Sequence, residues 1–211
     1  MKKRGILLAG LLGLAAWAQA SDWAVGPRAA LGWSQDTSAG SYSFVPEMVY
    51  GGGVQTELSL GEHGFADLEL AYDQAGRRSV GSYYNGSRWI DFDGHLTEDE
   101  VGEALMGGWR LKAAHGLLHP RAYLGYQFTQ ALDNRQNVSG SGFASGQTLG
   151  YPNQDHRYRS FGIVGLGLGL GRTDSVILDF RASQELEHQT GFIGTAVYAK
   201  FQCGLTWLFR I

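Results

Sequence analysis

The most regular feature of the sequence is an alternation of apolar and polar residues with a period of two. At the C-terminal end, the apolar positions are Phe201, Cys203, Leu205, Trp207, Phe209 and Ile211. Residues that alternate in this way point to opposite faces of a β-strand. The run extends back to about residue 193, well beyond the roughly 5 or 6 residues that are usual for a strand in a soluble sheet. The pattern therefore predicts a long, tilted final strand.

Seven earlier segments show the same alternation, which brings the predicted strands to eight. They cover residues 23–34, 48–60, 66–73, 101–111, 122–129, 164–170 and 176–183. The connections at 61–64, 112–119 and 171–174 are short, and those at 35–46, 74–100, 130–155 and 184–190 are longer and polar. Short turns at one end and long loops at the other are typical of bacterial outer-membrane barrels. We therefore predict an all-β fold, an eight-stranded antiparallel up-and-down transmembrane β-barrel with short periplasmic turns and longer extracellular loops.

A soluble sandwich or lipocalin-like barrel has the same periodicity, with its apolar residues inside. Three features favour the membrane barrel: strands of about ten residues, a polar parity rich in Gly and Ser, and Trp or Tyr near strand ends. The run GLGLGLG at 165–171 belongs to such a strand, because it lacks the strand–turn–helix context of a phosphate-binding loop.

The N-terminus has the order of regions found in a secretory signal. Three cations, Lys2 to Arg4, precede an apolar run over residues 5–17, and small residues follow as far as Ala20. The run is shorter than the roughly 20 residues that a membrane-spanning helix needs. We expect residues 1–20 to be cleaved and residues 21–211 to form the barrel domain, exported to the bacterial outer membrane.

Composition excludes several classes of protein. The chain has 32 Gly, 4 Pro and 26 aromatic residues, which argues against both collagen and disorder. One Cys rules out a disulfide scaffold and a multi-thiolate zinc site. Without the signal, the chain has 14 Lys or Arg and 20 Asp or Glu residues. This acidic balance makes a nucleic-acid partner unexpected. No cofactor motif is present.

The signal, the eight strands, the alternating connections and the final strand together resemble the small OmpA, OmpX and opacity-type outer-membrane barrels. The residues that carry the C-terminal part of this resemblance are Leu205, Trp207, Phe209 and Ile211. The resemblance implies that the barrel-assembly machinery recognises this last strand, and that the partners are outer-membrane lipids and lipopolysaccharide. The family usually ends in Phe, whereas this chain ends in Ile211.

The inward parity carries a set of charges that we expect to form ion pairs in the lumen. They are Arg28, Glu57, Asp67, Glu69, Arg110, Arg121, Asp179, Arg181, Lys200 and Arg210, which places six cations against four acids. An unpaired charge in so narrow an interior costs several kcal/mol. Because eight strands leave little open space, we expect a plugged lumen; the alternative is a narrow pore for ions or small solutes.

The long connections carry two further features. The acidic residues of the segment 74–100 are Asp91, Asp93, Glu98, Asp99 and Glu100, and we expect a solvated loop there. Aromatic residues that could bind a host or surface ligand are Tyr42, Phe44, Tyr83, Tyr84, Trp89 and Phe92, since Tyr and Trp dominate binding hot spots. The other interpretation seats these rings on the barrel rim.

The residues do not favour an enzyme. His156 and Ser160 lie about 13 Å apart along an extended strand, far beyond hydrogen-bond reach. His63, His115 and His119 fall in predicted periplasmic turns. We therefore expect a structural or adhesive role at the cell surface, with a lipid-modifying enzyme as a further alternative.

Overall fold

A computed structural model describes residues 22–38, 43–84, 86–111, 117–140, 158–171, 173–186, 189–191 and 194–211. These described residues form eleven β-strands. They are β1 Trp23–Ser38, β2 Ser43–Val45, β3 Glu47–Leu60, β4 Gly64–Tyr84, β5 Trp89–Arg110, β6 Leu118–Gly140, β7 Tyr158–Leu170, β8 Val176–Glu185, β9 Gln189–Gly191, β10 Gly194–Trp207 and β11 Phe209–Arg210. No helix in the described residues is long and apolar enough to cross a membrane.

Eight of these strands form a closed antiparallel ring. The order is β1-β3-β4-β5-β6-β7-β8-β10, and β10 returns to pair with β1 from Arg28↔Thr206 to Ser38↔Ala196. The short β11 continues beyond β10 and pairs with the beginning of β1, with Val25 opposite Phe209. Apart from the closing pair β1–β10, each ring strand pairs with the next ring strand along the chain, as an up-and-down barrel requires. The predicted eight-stranded barrel is confirmed.

The outward face of the ring is a belt of exposed apolar side chains. Leu124 is 72% exposed and Leu166 is 65% exposed, and both alternate with residues that point inward. Aromatic pairs lie towards both ends of the ring, with Trp33 stacked on Phe201 at 5.6 Å near one end. An apolar belt between two aromatic girdles is stable only where hydrocarbon surrounds it. The ring therefore spans the membrane with these side chains against lipid.

The described turns at one end of the ring are tight. Gly61, in the turn between β3 and β4, has φ +73°, and Gly171, after β7, has φ +87°. Only glycine adopts these backbone conformations without strain. The two chain ends of the ring, near Trp23 and Phe209, lie at the same side, which is the periplasmic side of such barrels.

At the other end, three strands continue far beyond the ring. Strands β4, β5 and β6 contain 21, 22 and 23 residues, and β4 stays paired with β5 as far as Tyr84↔Trp89. Strand β2 adds to the edge of β4, with Ser43 opposite Val80. We call residues 74–84, 89–100 and 131–140, together with β2, the extracellular sheet. The expectation of loops at 74–100 and over the first part of 130–155 is therefore wrong.

The extracellular sheet escapes the sequence pattern because its apolar parity is inverted. In the membrane-spanning part of β5, the apolar residues Val101 and Leu105 point outward, whereas within the extracellular sheet Ile90, Phe92 and Leu96 point inward and are buried. Outside the bilayer, water meets the outward face, so that face becomes polar. The change of phase in the sequence marks the end of the hydrocarbon layer and not the end of the strand.

Candidate functional site

Charged side chains fill the lumen in three layers, and the lower layer lies beside the tight turns. Arg110 donates through Nη1 to Glu57 Oε1 at 2.6 Å and through Nη2 to Ser59 Oγ at 2.6 Å. Arg121 Nη2 donates to the other oxygen of Glu57 at 2.5 Å. Asp174 lies 3.4 Å from Arg110 Nη1. Glu57 is thus held between two guanidinium groups, which offsets the cost of burying its charge.

The middle layer is built from two arginine–carboxylate forks. Arg28 binds Asp179 through both Nη atoms, at 2.5 and 3.1 Å. Arg181 binds Glu69 in the same manner, at 3.1 and 2.8 Å. Arg28 Nε also lies 3.3 Å from Glu69, and the Tyr123 hydroxyl donates to Asp179 at 2.9 Å. Strands far apart in sequence are joined by these bonds across the lumen.

Glycine makes room for the middle layer. A Cβ at Gly204 would overlap the guanidinium of Arg28, and a Cβ at Gly165 would overlap the ring of Tyr123. The bare lumen positions of β7 and β10 therefore accommodate large side chains from the neighbouring strands β6 and β1.

The upper layer lies where the extracellular sheet leaves the ring. Lys200 forms a close ion pair with Glu100 and lies 3.6 Å from Asp73. Arg159 lies 2.8 Å from Glu98 and 3.4 Å from Glu100. All five side chains are buried.

Aromatic rings seal the space around the cations of the upper layer. The rings of Phe161 and Tyr198 meet edge to face at 5.9 Å, and both are fully buried. The guanidinium of Arg77 lies 3.9 Å above the Tyr198 ring and also pairs with Glu98 at 3.2 Å. Cation–π contacts of this kind stabilise a desolvated charge.

Nine of the ten charged residues assigned to the lumen from the sequence lie buried in these layers, and Arg210 does not. Its guanidinium donates to the Thr173 carbonyl at 2.9 Å and lies 3.3 Å from Asp22 at the periplasmic rim. The reason is that strand β8 begins at Val176, which pairs with Trp207. The residues after Trp207 therefore have no β8 residue beside them and lie outside the enclosed part of the lumen. The assignment of Arg210 to the lumen is corrected.

Sequence reasoning missed other buried charged residues: Asp73, Arg77, Glu98, Glu100, His119, Arg159, Asp174 and Glu185. With them, the described lumen holds seven Lys or Arg against nine carboxylates, instead of the expected excess of cations. Glu98 and Glu100, expected in a solvated loop, point inward from β5. The alternation could have predicted their position, because Glu98 and Glu100 are an even number of residues from the inward-pointing Ala104 and Arg110.

A cavity of about 10 Å³ remains between the lower and middle layers. This volume is about what a single water molecule needs. Side chains from both layers line it, among them Asp67, Arg121 and Arg181.

The outward face of the extracellular sheet is polar and its charges are paired. Arg78 Nη2 and Nε donate to Asp93 at 2.7 and 2.9 Å across the β4–β5 hairpin. These hydrogen bonds lower the pKa of Asp93. Arg135 on β6 donates to Asp99 at 2.7 Å. Arg78 and Arg135 are therefore each paired with a carboxylate on this face.

The aromatic residues expected in the loops have different positions. Tyr84 and Trp89 face each other at the tip of the β4–β5 hairpin, with ring centroids 5.7 Å apart, and are 55% and 68% exposed. Phe92 is 5% exposed on the inward face, so its assignment as a surface aromatic is corrected. Tyr42 lies outside the described residues, as do the side chains of Phe44 and Tyr83.

The final strand presents its apolar side chains outward. Leu205, Trp207 and Phe209 are each more than half exposed, and the Trp207 and Phe209 rings stack at 6.0 Å. Ile211 is exposed beyond them. Cys203 shares the same outward parity and is half-buried.

In the described part of the chain, His63 Nδ1 contacts the Arg110 carbonyl, His95 lies 3.5 Å from Glu47, and His119 pairs with Asp174. His119, expected in a turn, is buried in the lower layer against Asp174, because β6 already begins at Leu118. His115 and His156 lie outside the described residues. Within the described ranges, no group of three His, Cys, Asp or Glu side chains is placed to hold a metal ion.

No protein-family model matches the sequence, and no curated protein matches it. Among solved structures, the chain is similar to Ail, the attachment invasion locus protein of Yersinia pestis, solved in complex with the heparin analogue sucrose octasulfate. The identity is 10%, with 89% of this chain and 99% of that chain covered and a TM-score of 0.39. Neisserial surface protein A has 15% identity, coverages of 89% and 97%, and a TM-score of 0.39. The N-terminal β-barrel domain of Pseudomonas aeruginosa OprF has 14% identity, coverages of 89% and 99%, and a TM-score of 0.30.

The likeness is one of fold. These proteins are small outer-membrane β-barrels, the class that the sequence of this chain resembles. At such identities and TM-scores, the similarity carries nothing about ligands or partners.

Proposed function

We propose that this chain is a bacterial outer-membrane protein with a closed lumen, and that its role is structural or adhesive at the cell surface. Residues 1–20 serve as the cleaved signal, and the outward residues of the final strand serve as the signal for the barrel-assembly machinery. Lipids and lipopolysaccharide surround the belt. The extracellular sheet is the part of the molecule that meets a host or surface ligand.

The observation that carries the closed lumen is the continuity of its three charged layers. Arginine–carboxylate forks cross the lumen at 2.5 to 3.1 Å in the middle layer, and the cavity below them measures about 10 Å³. A hydrated ion needs far more room than one water molecule occupies. The charges therefore hold the barrel walls together and do not line an open path.

Conductance in planar lipid bilayers tests the closed lumen. The wild-type barrel is expected to give no discrete current steps, because the guanidinium–carboxylate bonds fill the lumen. Discrete steps that change in size in Arg181→Ala would favour the narrow pore and contradict the closed lumen. A barrel with Gly107→Ala is the matched control, since this outward glycine has open space beside it.

The observation that favours adhesion is the exposed aromatic pair, Tyr84 and Trp89, at the tip of the β4–β5 hairpin. Tyr and Trp anchor many protein interfaces because they bury a large area at a small entropic cost.

The register of the β4–β5 hairpin suggests a test of adhesion. Val80 lies opposite Asp93, so residues 81–92 can be replaced by an Asn-Gly turn that suits a two-residue hairpin.

Cells that display the shortened protein are expected to adhere less to epithelial monolayers than cells that display the full chain. Equal surface amounts, checked by the heat-shifted band on an SDS gel, are the control. Equal adhesion would leave a structural role. A changed lipid A acyl profile in cells that carry the protein would instead indicate the lipid-modifying enzyme.

The signal peptide has its own test. Mass spectrometry of the purified protein should give an N-terminus at Ser21, and an intact Met1 terminus in the outer membrane would contradict the proposal.

A further inference from the structure

Three buried polar atoms belong to residues that line the cavity between the lower and middle layers. They are Asp67 Oδ1, Arg121 Nη1 and Arg181 Nε, and none of them has a hydrogen-bond partner among the described residues. The three side chains line the cavity and are each about 96% buried or more. Other atoms of Arg121 and Arg181 are bonded to Glu57 and Glu69. Among the described residues that line the cavity, these three are the fully buried side-chain atoms without a hydrogen-bond partner.

An unsatisfied buried polar atom destabilises a fold by about 1 to 3 kcal/mol, and more for charged groups. Three such atoms around one cavity are therefore a strong indication of a bound species. The cavity of about 10 Å³ is at the lower limit for one water molecule, so polyatomic ions and organic ligands are too large for it.

The chemistry of the three atoms selects among the small species. Two N–H groups, on Arg121 and Arg181, offer protons, and one carboxylate oxygen, on Asp67, accepts one. A halide would satisfy the two donors and be repelled by the carboxylate. A metal cation would have the opposite conflict with the two guanidinium groups. Water accepts two hydrogen bonds and donates one at the same time, which matches the set.

We propose that a single ordered water molecule occupies this cavity and bridges Asp67, Arg121 and Arg181. The water joins the lower layer, to which Arg121 belongs, to the middle layer, to which Arg181 belongs. It is a structural part of the lumen network, because about three hydrogen bonds per buried water are usual for such sites.

A crystal structure of the full barrel, refolded in detergent or lipid and refined at about 2 Å resolution or better, tests the proposal. The expected result is one density peak within about 2.6 to 3.2 Å of all three atoms. The absence of a peak would overturn the proposal. A direct bond between Asp67 Oδ1 and Arg121 Nη1 would overturn it too, as would density or anomalous scattering that requires a halide.

Two variants at one position sharpen the test. Asp67→Asn keeps the side-chain shape and a carbonyl acceptor, so the peak should remain. Asp67→Val keeps a similar shape without an acceptor, so the peak should disappear. A peak that persists unchanged in Asp67→Val would contradict the assigned role of the carboxylate. Where the valine variant fails to insert, loss of the peak in the asparagine variant would contradict that role instead.

Discussion

Removal of the Glu69 carboxylate should be among the most damaging single changes in the lumen. Glu69 binds Arg181 through both oxygens at 3.1 and 2.8 Å and lies 3.3 Å from Arg28 Nε. At an effective dielectric constant of about 20, two charges about 4 Å apart attract by about 4 kcal/mol. Breaking a buried ion pair by removing one partner costs about 3 to 5 kcal/mol, because the other charge stays buried. Glu69→Ala should therefore lower the free energy of unfolding by about 3 to 5 kcal/mol.

Urea unfolding in lipid vesicles measures this change through tryptophan fluorescence, and the heat-shifted band on an SDS gel gives an independent fraction folded. Glu69→Gln, which keeps the shape and an acceptor for Arg181, should cost about 2 kcal/mol. The double replacement Glu69→Leu with Arg181→Met removes both charges, so its stability should lie within about 1 kcal/mol of the wild type.

Two results would refute this reasoning. A loss below about 1 kcal/mol in Glu69→Ala would mean that the fork contributes little or that water replaces the carboxylate. The double variant can also be compared with the single variants Glu69→Leu and Arg181→Met. If its loss of unfolding free energy equals the sum of their two losses, Glu69 and Arg181 act independently.

Three further predictions concern packing, lipid contact and pH. Gly165→Ala places a methyl group against the Tyr123 ring and should destabilise the barrel by about 1 to 3 kcal/mol in the same urea assay. Glu103 lies exposed on the outward face between apolar neighbours, so Glu103→Leu should raise the unfolding free energy by about 1 to 2 kcal/mol. The Arg78 guanidinium lowers the pKa of Asp93 below 3.8; the bond therefore contributes fully above that pH and is lost as pH falls through the lowered pKa. NMR titration of the Asp93 carboxyl carbon should give a midpoint below its ordinary value.

Each of these three has a control and a contrary outcome. Gly107→Ala, on the outward face with no atom closer than 4.0 Å to its added Cβ, should leave stability unchanged, and an equal loss at both glycines would remove the steric argument. A destabilised Glu103→Leu would indicate that the carboxylate has a partner in the membrane. In Arg78→Met, the Asp93 midpoint should return to its ordinary range; an unchanged midpoint would assign the lowered pKa to another cause.

The sequence predicted the barrel well and its extracellular part poorly, and both outcomes have one physical cause. Within the bilayer, hydrocarbon favours apolar side chains at the outward positions, so a local pattern reports the global orientation of each strand. Beyond the bilayer, this requirement ends. Ile90 and Phe92 then point inward, and the strands of the extracellular sheet look like a polar loop when the lipid-facing parity is expected to continue.

For the charged residues of the lumen, too, the sequence predicted one part and missed another. Parity alone placed nine of the ten charged candidates inside, and it missed Glu98 and Glu100 only because the strand around them was taken for a loop. Arg210 has the inward parity but lies past the last enclosing strand. A period of two predicts which face of the strand a residue occupies. It does not predict whether other strands enclose that position.

By itself, the sequence determined the number of ring strands, the face of each that meets lipid and the end of the barrel that carries short turns, because these depend on residues close together in the chain. Tertiary structure alone decided which charges pair. Glu69 and Arg181 are 112 residues apart, and only the closure of the ring and the register of its strands place β4 and β8 opposite each other across one narrow lumen. The tertiary structure also determines the space between the layers, since a cavity of about 10 Å³ depends on the packing of side chains from several strands at once.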